Sequence, residues 1–253
     1  MNFRKSYQYL SIIILFTGII SCSESDKHSG FVDPNEELLV GLDEVEGYDH
    51  TYNYDFNILK EREKVDFYIP VSIYEALNRI PEEMRTKINL FSPSELSFTA
   101  NIQEANIVTS WNDQNQLVFQ IQLSYLENDE GYDINFKDFF IVSITQHPNN
   151  PFMEMSETEL ETLHEDLTKR AYVILNLTEQ DSLYYLPKDK DNLWPRVFDY
   201  YMYDESQNRI FKETTGSYQY YAWHNGLIYR IGFNMDVDAN DAENLVRKII
   251  LGN

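Results

Sequence analysis

Hydrophobic side chains recur along this chain with two different periods, and the places where the period changes divide it into elements. In residues 117–125, Leu117, Phe119, Ile121, Leu123 and Tyr125 alternate with Val118, Gln120, Gln122 and Ser124. Successive side chains of a strand point to opposite faces, so this run predicts a half-buried antiparallel strand with one mostly polar face. Residues 107–111 precede it across Asn112-Asp113-Gln114-Asn115, a run of turn formers. Residues 65–69, 136–145, 171–177 and 197–203 read as further strands, rich in β-branched and aromatic side chains. A polar turn over 204–208 leads into Ile210-Phe211, the start of a return strand. The sharpest local signal is Trp223-His224-Asn225-Gly226-Leu227. A type I′ turn needs positive φ at both central residues and Asn-Gly supplies it, so residues 218–233 predict a hairpin.

The helical period appears between these strands. Ser72-Ile73-Tyr74-Glu75 has capping-box spacing and opens a stripe of Ile73, Ala76, Leu77 and Ile80 that ends at Pro81. A second short helix is predicted over 81–88, with proline at its first position. Ser156-Glu157-Thr158-Glu159 is another capping box, followed by Leu160, Leu163 and Leu167 on one face and Lys169-Arg170 at the end, where cations suit the helix dipole. The chain closes with Asp238 as N-cap, the stripe Ala242, Leu245, Val246, Ile249 and Ile250, and Gly252 as terminator. These elements predict an α+β fold: an antiparallel sheet of about six to eight strands with packed helices, including a C-terminal amphipathic helix.

The N-terminal pattern differs from everything after it. Arg4 and Lys5 precede an apolar run over 10–20 of eleven residues. A helix crossing about 30 Å of hydrocarbon needs roughly 20 apolar residues, so the run is too short to span and has the length of a secretory core segment. It ends in Ile19-Ile20-Ser21-Cys22. This arrangement resembles the lipobox of bacterial lipoproteins. The resemblance implies cleavage between Ser21 and Cys22, diacylglycerylation of the Cys22 thiol and acylation of the new amine. More than one acyl chain is needed for stable anchoring. Ser23 after the modified cysteine implies an outer-membrane address in a Gram-negative source, and the outer face of the plasma membrane in a Gram-positive one. The expected organisation is a signal peptide over 1–21, a lipidated cysteine and acidic tether over 22–50, and one α+β domain over 51–253. Within the tether, Leu38-Leu39-Val40 reads as a short docking contact or strand.

Charge narrows the classes of partner. The chain carries 20 basic and 42 acidic residues, net −22. Removing residues 1–21 leaves 18 basic residues and −24. Such a surface repels phosphates and anionic headgroups, which excludes nucleic acid and leaves the lipid anchor as the expected membrane contact. Cys22 is the single cysteine, so disulfides and thiol catalysis fall away.

Chemical motifs are sparse. His164-Glu165 lacks a second histidine four residues on, where Thr168 stands. Asp236-x-Asp238-x-Asn240 opens like a calcium loop but has Asp241 and Arg247 where glycine and glutamate are required, so helix capping explains it. His147, His164 and His224 have no metal-ligand spacing, and no nucleophile-elbow or phosphate-loop pattern occurs. Nothing here calls for a metal or cofactor. The remaining oddity is aromatic: 19 Tyr, 15 Phe and 3 Trp. Tyr201, Tyr203, Tyr220, Trp223 and Tyr229 cluster in the C-terminal half and can line a ligand groove, although tyrosine is also an ordinary strand residue. The closing hairpin and helix loosely resemble the curved-sheet extracytoplasmic domains of lipoprotein carriers and sigma-regulator sensors. The function expected from these readings is an anchored envelope lipoprotein whose body is a non-catalytic binding or assembly module for a protein partner or amphipathic ligand. The alternative is a glycosidase-like envelope hydrolase using paired carboxylates in an aromatic-lined cleft.

Overall fold

The polar face predicted for residues 117–125 is not solvated, and what covers it organises the molecule. The structure is a computed structural model that describes residues 33–47, 63–112, 114–127, 138–151, 155–187 and 197–252. Eleven strands form one sheet: β1 (Glu44–Gly47), β2 (Glu63–Tyr68), β3 (Ile102–Trp111), β4 (Leu117–Leu126), β5 (Phe139–Gln146), β6 (Val173–Asn176), β7 (Ser182–Leu186), β8 (Val197–Asp204), β9 (Arg209–Gly216), β10 (Tyr218–His224) and β11 (Leu227–Asn234). Their order is β6-β7-β10-β11-β5-β4-β3-β2-β1-β9-β8. Every pairing is antiparallel except β1 with β9, where Glu46 and Gly47 run parallel to Arg209 and Ile210. Four α-helices are described: α1 (Ile73–Asn78), α2 (Glu82–Arg85), α3 (Glu157–Lys169) and α4 (Ala239–Leu251). The sheet is larger than the six to eight strands expected.

Local signals behave as their chemistry requires. Ser72 and Ser156 accept from the backbone N–H three residues on, and at Ser156 the Glu159 carboxylate returns the bond. Asn225 and Gly226 take φ of 50° and 82°, and the hairpin pairs Tyr218 with Phe233 through to His224 with Leu227. Asp238 caps α4, Gly252 ends it at φ 79°, and the whole apolar stripe of α4 is buried. The helix over 81–88 is shorter than expected, one turn at Glu82–Arg85.

Helices α1, α2 and α4 cover the sheet face that carries Ile107, Phe119, Ile121, Phe140, Ile144, Ile231 and Phe233, and form the main core with them. The opposite face has two covers. Helix α3 seats Leu167 on Tyr184, Leu186, Tyr221 and Ile228. The β8–β9 hairpin folds back across the rest. Phe198 and Tyr200 pack on Leu126, Phe139 and Ile141, while Tyr201 and Ile210 pack on Val45, Phe67 and Val108. The free edge of β8 meets the sheet face through side chains. Tyr201 N–H donates to Gln122 Oε1 at 2.7 Å, and Gln122 Nε2 donates to Tyr201 O at 2.8 Å. Arg230 Nη1 donates to Asp199 O at 3.2 Å, with its guanidinium 4.7 Å from the centre of the Phe198 ring. Gly232 makes the approach possible, since a Cβ there would fall 2.5 Å from that ring. The side-chain amide of Asn106, directly across from Gln122 and one methylene shorter, has no hydrogen-bond partner among the described residues.

The stretch read as tether is partly folded. Residues 34–39 form a 3₁₀ helix and Glu44–Gly47 enters the sheet, so the folded body extends back to Asp33. Leu38 and Leu39 pack on the main core, which makes residues 38–40 a docking contact rather than a strand. Residues 1–21, read from sequence as a signal peptide, and Cys22 lie outside the described residues. Among those described, no helix is long and apolar enough to cross a membrane.

Gln122→Leu removes the two hydrogen bonds that the Tyr201 N–H and C=O make to Gln122 beneath the hairpin, at about 1–3 kcal/mol for each buried bond lost. The expected result is a loss of about 2–4 kcal/mol in urea denaturation, with fast hydrogen exchange at the Tyr201 amide.

Candidate functional site

The end of the sheet where β1, β2 and β3 lie side by side is spanned on the main-core face by a strap, residues 33–42. Asp33 starts it: one carboxylate oxygen accepts from Asn35 N at 2.9 Å and the other from Leu117 N of β4 at 3.3 Å. Arg79, the C-cap of α1, holds the far end, donating to Val40 O at 2.7 Å and Leu38 O at 3.5 Å. Gly41, at φ 88°, turns the chain from strap to β1, a conformation that suits glycine. The strap does not fill the space beneath it. A cleft of about 380 Å³ remains, with Glu36, Leu39, Val40 and Leu42 on the strap side. Glu44 of β1, Asp66 and Tyr68 of β2, Thr109 and Trp111 of β3 and Leu117 of β4 complete its walls.

The lining mixes apolar side chains with three carboxylates, Glu36, Glu44 and Asp66. Glu44 lies across from Tyr68 and Asp66 across from Thr109, which sets Glu44 and Asp66 diagonal to each other on one face. Such diagonals span roughly 7–8 Å, within reach of long side chains. Burial raises the pKa of Asp66 above the ordinary carboxylate range; Glu44 adds to the rise and Lys64 opposes it. Burial also raises the Tyr68 phenol, with Asp66, Glu44 and Glu36 adding and Thr109 opposing. The carboxylates therefore feel one another, and the site favours a cation over an anion.

The aromatic residues proposed from sequence do not meet in one groove. Tyr220 and Tyr229 are 2% and 1% exposed in the main core, and burial holds both phenols well above their ordinary pKa. Tyr201 packs on the other sheet face, with its ring 5.5 Å from that of Phe67, and Tyr203 lies beside this cluster and donates to Asn208 Oδ1 at 2.7 Å. Trp223 packs in the α3 cluster and donates from Nε1 to His147 O at 2.8 Å. Their period-two spacing reflects alternate burial on the two sheet faces. The histidines are separate too. His147 Nδ1 lies 2.6 Å from Asn149 O, His164 Nε2 lies 3.2 Å from the Tyr184 hydroxyl, and His224 Nδ1 lies 2.9 Å from Asp181 Oδ2. Among the described residues no three His, Cys, Asp or Glu side chains gather as a metal site. Ser21 and Cys22 lie outside the described residues.

Sequence reading missed Glu36, Glu44, Asp66 and Trp111 as one constellation, because they come from four segments. The usable signal was Leu38-Leu39-Val40, apolar residues inside an acidic stretch. The chain matches no protein-family model, no curated protein and no solved structure.

The raised Asp66 pKa has a sign that can be measured. Between the unfolded and folded values the unfolded chain has already lost its proton while the folded one keeps it, so stability falls as pH rises through that window and stays lower above it. Asp66→Asn is expected to raise Tm at pH 7 by about 1–3 °C, and to leave it unchanged at pH 3, in thermal unfolding followed by circular dichroism.

Proposed function

We propose that this chain is a cell-envelope lipoprotein, anchored through acyl chains on Cys22, whose body is a non-catalytic binding module with the cleft beneath residues 33–42 as its binding site. The observation that carries the second half is the cleft itself. It is an open groove in which Leu39, Val40, Leu42, Trp111 and Leu117 stand with Glu36, Glu44 and Asp66, contributed by four neighbouring strands and the strap. Apolar surface combined with a few polar groups that select the occupant is what a binding site requires. The lipobox Ile19-Ile20-Ser21-Cys22 supports the anchor.

One observation favours a hydrolase as the second reading. Asp66, its pKa raised by burial and by Glu44, has the character of a general acid beside a second carboxylate. That reading requires turnover of an envelope glycan that is lost in both Asp66→Asn and Glu44→Gln.

Metabolic labelling with a palmitate analogue, combined with membrane fractionation, tests the anchor. The wild type is expected to take up label and sediment with membranes, and Cys22→Ala to do neither. An unlabelled, soluble wild type removes the proposal.

A further inference from the structure

Two grooves flank the strap, and together they form a surface larger than either. The second, about 410 Å³, lies on the α1 side and is lined by Glu37, Leu38, Tyr74, Glu75, Asn78 and Arg79. The described residues expose four large hydrophobic side chains, and two of them stand on these grooves: Val40, 71% exposed, and Tyr74, 79% exposed. Exposed aliphatic and aromatic side chains grouped within a polar rim mark an interaction surface.

Charge decides the kind of partner. The cleft carries Glu36, Glu44 and Asp66, and the second groove carries Glu37 and Glu75. Arg79 is the one cation among the lining residues, and it is occupied by the carbonyls of Val40 and Leu38 and by Glu75 at 3.7 Å. Burial is the main cause of the raised Asp66 pKa, and Glu44 adds to it. Nucleic acids and anionic headgroups are disfavoured here. A small ligand would be enclosed in its site, whereas Val40 and Tyr74 project outward as anchors do in protein interfaces.

We infer that the strap and its two grooves dock a basic amphipathic segment of a partner polypeptide. Its Lys or Arg side chains meet the carboxylates, and its apolar side chains seat on Val40, Tyr74 and Trp111. This inference rests on the binding-module reading above and names the class of partner.

The test is fluorescence anisotropy at physiological salt, using the full chain in uncharged detergent. The probe is a labelled 14-residue amphipathic peptide of Leu and Lys, compared with its Leu and Glu counterpart. The wild type is expected to bind the Lys peptide at least tenfold more tightly than the Glu peptide. Glu37→Lys with Glu44→Lys, and separately Val40→Ser with Tyr74→Ser, are each expected to weaken binding about tenfold. Glu157→Lys with Glu161→Lys on α3, equal in charge change but outside the grooves, should stay within twofold. All six substituted residues are exposed, and unchanged circular dichroism verifies that each variant is folded. No binding by the wild type, an equal loss in the α3 pair, or no loss in the Val40 and Tyr74 pair overturns the inference. A photo-crosslinker at position 74 of the anchored chain separates the two readings. An adduct of a few hundred daltons overturns the peptide partner and keeps the binding module, and no adduct at either position 74 or position 40 removes both.

Discussion

The side-chain amide of Gln122 and the backbone of Tyr201 form the pair on which the rest of the arrangement depends. A hairpin at the end of a sheet has one strand whose outward N–H and C=O groups lack a ladder. Here that strand, β8, is turned against the face of the same sheet, where those groups lose water as well. Gln122 offers a donor and an acceptor at the spacing of a peptide group and so acts as a one-residue strand. Arg230 does the same for the Asp199 carbonyl. With these groups satisfied, the two faces of the hairpin are free to make separate apolar contacts, one around Phe67 and Tyr201 and one around Phe139 and Phe198.

The cleft follows from how coverage is divided. Helix α1 reaches β3 on this face, and the strap lies beside it over Tyr68, Trp111 and Leu117. Two buried or half-buried charges hold the strap, Asp33 on the Leu117 amide and Arg79 on the Val40 carbonyl. Asp33 is itself an anion, and Arg79 is engaged by the Val40 and Leu38 carbonyls and by Glu75, so neither neutralises the carboxylates of the cleft. Asp66, partly buried there beside Glu44, holds its proton more tightly than an ordinary carboxylate.

Elements whose cause is local were legible in the sequence: the Asn225-Gly226 turn, the Ser156 capping box and the α4 stripe each contain their own reason. Elements whose cause is distant were not. Strand β1 has one buried side chain, Val45, flanked by Glu44 and Glu46, and is a strand because β2 and β9 pair with it. Strand β7 is five residues with buried side chains on both faces and offers no clean alternation. Gln120, Gln122 and Ser124 read as a solvated face because nothing nearby in sequence indicates that residues 197–216 will cover them. The cleft was illegible for the same reason: Glu36, Glu44, Asp66 and Trp111 become neighbours only when four segments meet. Conversely, Tyr220 and Tyr229 looked like groove residues because aromatic alternation is the same for a core face and a ligand face.

The parallel contact between β1 and β9 bears on how the chain reaches this state. Its partners, Glu46 with Arg209 and Gly47 with Ile210, lie about 160 residues apart in sequence. Closing so long a loop must precede any gain from the contacts, and proteins dominated by distant pairings fold slowly. The first strand made thus waits for one of the last. A chain built this way gains that pairing only after the strands between have been brought together.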